Sequence, residues 1–141
     1  MKATTRIAVI LLVVALLPAC ATLETTRAPG ADISRIRTLY VEKLEKDERG
    51  VDSLIAAQLN KMGLKATNGP ATRTPANVDA VVTYADRWMW DITMYMLSLN
   101  IQVRDGKTRA ILASSQSVRP SLVRKDPEAM VEEVVADLFK K

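Results

Sequence analysis

The sequence predicts an α+β fold, a two-layer sandwich with two helices packed on one face of a mostly antiparallel sheet of four to five strands. Two stretches, at 51–62 and 131–138, place apolar residues at the helical period. A third, at 94–104, alternates apolar and polar residues as a half-buried strand does. Taken in order the elements read β-α-β-β-β-β-α. Two helices with one apolar stripe each must cover a single face of such a sheet.

The first strand is "IRTLYVEKL" (36–44), closed by the polar run "EKDERG". A helix follows, with Val51, Leu54, Ile55, Leu59 and Met62 on one face and Gly63 as the residue that ends it. "LKAT" (64–67) is a short strand. "NGPATRTPAN" (68–77), with two prolines and a glycine, is a loop. "DAVVTYADRWMW" and "MYMLSLNIQVR" are the next two strands, Asp105-Gly106 is a turn, and "RAILASSQSV" (109–118) is the return strand. After a linker at 119–125, the last helix opens with Asp126 as N-cap, Pro127 at N1 and Glu128 in the first turn. Val131, Val134, Val135 and Leu138 are its buried face.

The N-terminus reads as an address. Lys2 and Arg6 precede an unbroken apolar run from Ile7 to Leu17. Eleven residues are too few to cross a bilayer core of ~30 Å, which needs about 20, but they suit the central region of a secretory signal peptide. The run ends in Leu17-Pro18-Ala19-Cys20, which resembles the bacterial lipobox, with Pro18 as a departure from the usual small or β-branched residue. The resemblance implies cleavage between Ala19 and Cys20, and diacylglyceryl modification and N-acylation of Cys20. Each buried CH₂ of such chains contributes ~0.8 kcal/mol, and stable anchoring needs two chains or more. Ala21, rather than Asp, follows the Cys. By resemblance to the sorting rule of enteric bacteria, this implies the outer membrane, facing the periplasm. The domain organisation expected is therefore a signal peptide at 1–19, a lipidated Cys with a flexible tether at 20–32, and one α+β domain at 33–141. That domain resembles, in element order, the small periplasmic domains of outer-membrane lipoproteins such as the lipopolysaccharide-assembly and curli-secretion lipoproteins.

Composition narrows the chemistry. The chain has no His and one Cys, so the commonest general base is missing and neither an internal disulfide nor a multi-Cys metal site is available. Without residues 1–19 the bases number 18 and the acids 16, which gives no argument for nucleic acid. Ser114, Ser115 and Ser117 lie in a strand without a nucleophile elbow, and no Gly-rich phosphate loop occurs. Glu42, Glu45, Asp47 and Glu48, interleaved with Lys43, Lys46 and Arg49, read as a solvated face. Arg119, Arg124 and Lys125 form a small basic cluster in the linker. No metal is expected, and no cofactor beyond the covalent lipid.

The segment "DRWMWDITMYML" (86–97) holds both tryptophans and three of the six methionines. A hairpin turning at Asp91-Ile92 pairs residues whose numbers sum to 183. Val82, Tyr84, Trp88, Tyr95, Leu97, Leu99 and Ile101 then face the helices. Arg87, Met89, Met94 and Met96 face outward as a candidate partner-binding patch, since methionines adapt to varied partners and exposed apolar patches mark contact sites. Asp86 falls on the buried side, where an unpaired carboxylate is costly and unexplained. Three readings follow. The first is a non-enzymatic envelope lipoprotein, an accessory or assembly subunit with a protein partner. The second is a lipid- or lipopolysaccharide-binding auxiliary with a cavity between helices and sheet. The third is a hydrolase using Asp86 and Asp91.

Overall fold

A computed structural model describes residues 20–141. The expected signal peptide and the cleavage position at Ala19 lie outside the described residues. The elements are β1 (Thr22–Arg27), β2 (Thr38–Lys43), α1 (Val51–Lys61), β3 (Lys65–Pro70), β4 (Ala80–Asp91), β5 (Thr93–Asp105), β6 (Ile111–Val118) and α2 (Pro127–Leu138). The α+β class is as expected, and both helices lie together on one face of one sheet. The sheet is larger and more mixed than the sequence suggested. It has six strands in the order β1-β6-β5-β4-β2-β3, with β2 parallel to both β3 and β4.

The additional strand corrects the expected tether. Residues 22–27 pair antiparallel with β6 along their whole length. "TLETTR" is polar, and so reads as a linker, but its three threonines are β-branched and suit an edge strand. Its alternate side chains hold α2. The Thr25 hydroxyl donates to the Asp137 carboxylate and is paired with the Ser115 hydroxyl at 2.6 Å. The Arg27 guanidinium donates to the carbonyl of Leu138 at 3.1 Å and to that of Lys140, satisfying the end of α2.

The core fills the space between the layers. Leu39 and Val41 of β2, Val82 and Tyr84 of β4, and Leu99, Ile101 and Val103 of β5 meet Val51, Ile55 and Leu59 of α1 and Met130, Val131, Val134, Val135 and Leu138 of α2, all buried. The hollows lined at 49–54 and at 124–127 lie beside this core, at the starts of the two helices. Met62, expected on the buried face of α1, is 40% exposed because it lies past the last turn. Gly63 takes φ 85°, and the N–H groups of Gly63 and Leu64 close on the carbonyls of Asn60 and Leu59 at 3.0 and 3.2 Å. That is the left-handed stop the sequence predicts. Gly106 is required for space, since a Cβ there would come within 2.0 Å of the Val78 carbonyl oxygen.

The start of α1 is the main correction in this half of the molecule. Gly50 supplies no side-chain cap. Asp47, expected on a solvated face, is instead buried. One of its carboxylate oxygens accepts from the N–H groups of Arg49 and Gly50 at 2.8 and 2.9 Å. The other accepts from those of Val51 and Asp52 at 2.8 and 3.3 Å and from the Tyr84 hydroxyl at 2.7 Å. The Tyr84 oxygen in turn accepts from the Leu44 N–H at 3.3 Å. Burial by itself raises the Asp47 pKa, but the bonds from Tyr84 and from the backbone outweigh it and hold the carboxyl below its usual range. Burial, and then the bond to Asp47, push the Tyr84 phenol upward.

Two outcomes are expected. Asp47→Ala removes a helix cap and leaves a buried hydroxyl without its acceptor, and should lower unfolding free energy in urea by about 2–4 kcal/mol. A carboxyl whose pKa is depressed on folding stabilises the fold above its unfolded value of about 3.9 and loses that contribution as pH falls through the folded value. Below about pH 4 the wild type should therefore lose stability more steeply than Asp47→Asn, which a pH series of thermal melts would measure.

Candidate functional site

The segment singled out in the sequence forms the far end of a long hairpin, and its register decides which residues are available. Along most of β4 and β5, pairs sum to 185, as in Tyr84 opposite Ile101 and Asp86 opposite Leu99. Between Arg87 and Trp88 the register shifts, and beyond it the pairs sum to 184: Trp88 opposite Met96, Met89 opposite Tyr95, Trp90 opposite Met94. Leu97 is the extra residue of a β-bulge on β5. One inserted residue reverses the facing of everything beyond it on that strand.

This bulge corrects the expected patch of Arg87, Met89, Met94 and Met96. Met96 turns inward and is fully buried in the core. Tyr95, expected inside, turns to the open face and is half-buried beneath the Arg124 guanidinium, 5.5 Å from the ring centre. Arg87 and Met89 are exposed on the open face. Met94 is 45% exposed but shares the opposite face with Trp90. The four residues are thus not one surface.

Asp86 is accounted for by a neighbour on its own strand. The indole N–H of Trp88 donates to its carboxylate at 2.5 Å. Trp88 packs against the core and carries the Arg49 guanidinium over its ring, 4.1 Å from the centre. Arg49 is held there because its own N–H is one of those bonded to Asp47. Trp88, Arg49 and the first residues of both helices line an open cleft of ≈ 590 Å³. Asp91, the other acid of the proposed pair, accepts instead from the Ser121 hydroxyl. The two carboxylates are engaged by different partners. Ser115 and Ser117 are buried under α2, and Ser117 lies 3.9 Å from the Met130 sulfur.

The linker cluster is divided as well. Arg119 and Lys125 both pair with Glu133, Lys125 at 2.9 Å. Burial alone would raise the Glu133 pKa, but Lys125 and Arg119 outweigh it and lower it. Arg124 donates to the Asp91 carbonyl at 3.3 Å and to the Thr93 hydroxyl at 3.2 Å. Segment 121–124 is therefore docked on the hairpin turn. The residues that sequence reasoning missed are the apolar ones this docking leaves outside: Trp90 at 71% exposure, Ile92 at 85% and Leu122 at 89%. Ile92 also has φ 60°, a rare conformation for a β-branched residue. Its position beside an Asp in a short turn was the available signal. The exposed Cys20 stands two residues ahead of β1. Among the described residues, no group of three or more His, Cys, Asp or Glu side chains is placed to hold a metal, and no helix is long and apolar enough to cross a membrane.

No protein-family model and no curated protein matches the chain. Its fold is similar to that of PelC from Paraburkholderia phytofirmans, solved as a dodecamer in two space groups. One structure aligns with TM-score 0.63 and 16% identity, over 86% of this chain and all of that one. The other aligns with TM-score 0.59 and 17% identity, over 85% and 95%. A minor lipoprotein from Acinetobacter baumannii aligns at TM-score 0.34 and 16% identity over 73% and 84%, too distant to carry an argument. At these identities the likeness to PelC shows the fold alone.

Trp88→Phe keeps the ring but loses the bond to Asp86 and weakens the Arg49 contact, and should cost about 1–2 kcal/mol in chemical denaturation. Ile92→Gly should behave oppositely. Relief of the left-handed strain, about 1–2 kcal/mol, offsets the entropy cost of glycine, about 0.5–1 kcal/mol, so stability should hold or rise slightly.

Proposed function

We propose that this chain is a membrane-anchored, non-enzymatic lipoprotein that serves as an accessory or assembly subunit of a cell-envelope complex, with copies of itself among its partners. The observation that carries the reading is Cys20. It is the chain's one Cys, it closes the lipobox-like Leu17-Pro18-Ala19-Cys20, and it stands exposed just before the first strand. A signal peptide at 1–19 and an outer-membrane address with Ala21 after the Cys belong to the same proposal. Support for self-assembly comes from the fold shared with PelC, which is solved as a dodecamer. The absence of a catalytic role is proposed on the contacts of the two candidate acids. Asp86 serves to fix Trp88, and Asp91 to hold the segment at 121–124.

Metabolic labelling with a fatty-acid analogue tests the anchor. The wild type should take up label and sediment with membranes, and Cys20→Ser should do neither. A wild type that never takes up label, with a Cys20→Ser form that stays on the membrane, would show the address to be wrong. Native mass spectrometry of the detergent-extracted chain should give a discrete oligomer. A monomer at micromolar concentration would remove the self-assembly part and leave the anchor standing.

A further inference from the structure

Strand register places the hairpin tip and Cys20 at the same end of the molecule. Thr22, Val118, Ser98 and Arg87 form one row across β1, β6, β5 and β4. β1 runs parallel to β5, since both pair antiparallel with β6. Cys20 therefore lies on the same side of that row as the hairpin turn. It is two residues beyond the row, about 7 Å in extended chain, whereas Ile92 is five residues beyond Arg87, about 16 Å. The tip thus projects about 10 Å farther than the Cys20 backbone.

The tip carries what a bilayer interface accepts. Trp90, Ile92, Met94 and Leu122 are exposed and apolar, and a tryptophan is at home at headgroup depth. The side chains of Asp91 and Thr93 in the turn each have a partner. Ser121 donates to the Asp91 carboxylate, and Arg124 donates to the Asp91 carbonyl and to the Thr93 hydroxyl. Exposed Arg87 lies on the side toward the body, and exposed Arg124 lies at the turn itself, against Asp91 and Thr93, so cationic groups accompany the apolar residues where phospholipid phosphates would lie. An element that sits in the interface buries its apolar face about 5–10 Å into the headgroup and acyl boundary, which matches the projection past Cys20.

We propose that the β4–β5 hairpin tip, with Leu122 beside it, inserts into the leaflet that holds the Cys20 acyl chains and so fixes the orientation of the domain on an anionic bilayer. The inference draws on the lipoprotein reading for the position of the membrane, but the tip is a lipid-binding element in its own right. Left-handed Ile92 belongs to it: the tight turn thrusts a branched apolar side chain outward at the point of greatest reach.

The test uses the full chain extracted from membranes and reconstituted into phosphatidylethanolamine–phosphatidylglycerol vesicles, with and without brominated acyl chains. Tryptophan emission should be quenched, most strongly by bromines near the headgroup end of the chain. Trp90→Phe should abolish most of the quenching although Trp88 remains. Ile92→Asn and Leu122→Asn should each reduce it; the thermal melt should stay unchanged for Leu122→Asn, at an exposed position, and hold or rise slightly for Ile92→Asn, since Asn tolerates the left-handed conformation. Emission of Trp90 that is unaffected by bromine overturns the proposal, as does cross-linking from position 90 to an envelope protein instead of lipid. Mass spectrometry of Cys20 on the same sample separates the two claims. Acylated Cys20 with unquenched Trp90 leaves the anchor and removes the tip, and quenched Trp90 on a chain without acyl groups does the reverse.

Discussion

The carboxylate of Asp47 accepts hydrogen bonds from four consecutive backbone N–H groups and from the hydroxyl of Tyr84. Two of the amides, of Val51 and Asp52, open α1 and the other two, of Arg49 and Gly50, lead into it, and a helix start buried without partners is costly. The hydroxyl belongs to β4, in the middle of the sheet. One side chain therefore sets both where α1 begins and how it sits on the strands. The packing of Val51, Ile55 and Leu59 over β2 and β4 follows from that placement. So does the position of Arg49, whose N–H joins the same carboxylate and whose guanidinium reaches the Trp88 ring. Trp88 in turn uses its indole N–H on Asp86. The chain of contacts leads from a loop carboxylate to the hairpin.

Beyond Trp88 the controlling feature is the bulge at Leu97. A sheet in strict register would have kept Tyr95 inside and put Met96 outside. The inserted residue exchanges them, so the core gains an unbranched, adaptable Met at its margin and the open face gains an aromatic ring for Arg124 to cover. It also adds local twist where the hairpin leaves the two-layer body. Beyond Trp88 and Met96, residues 89–94 are all exposed. Their exposure is a consequence of strand length: β4 and β5 outrun the strands on either side.

These two features give the molecule a polarity. The end with the hairpin turn also holds the N-termini of both helices, the cleft at Trp88 and the start of β1 with Cys20. The opposite end holds the turn at Asp105 and the α2 carbonyls tied to Arg27. Cys20, an apolar projection and the exposed Arg87 and Arg124 thus share one end. The edge strands β1 and β3 close the two sides of the sheet.

The amino-acid sequence by itself determined the class of the fold, both helices, the Gly63 stop and five of the six strands. Each is written in local period or in a short motif, and local signals survive without knowledge of the neighbours. What only the tertiary structure decided was pairing. "TLETTR" is a strand because β6 and α2 offer it partners. Asp47 is buried because four amides and a phenol converge on it from residues near and far. Met96 is core, and Trp90 and Ile92 are surface, because one bulge reversed the facing of β5 and two strands ran past their neighbours. Such outcomes depend on register between segments far apart in the chain. An alternating pattern does not specify register where one residue is inserted, since either facing of the tip places apolar side chains on both sides.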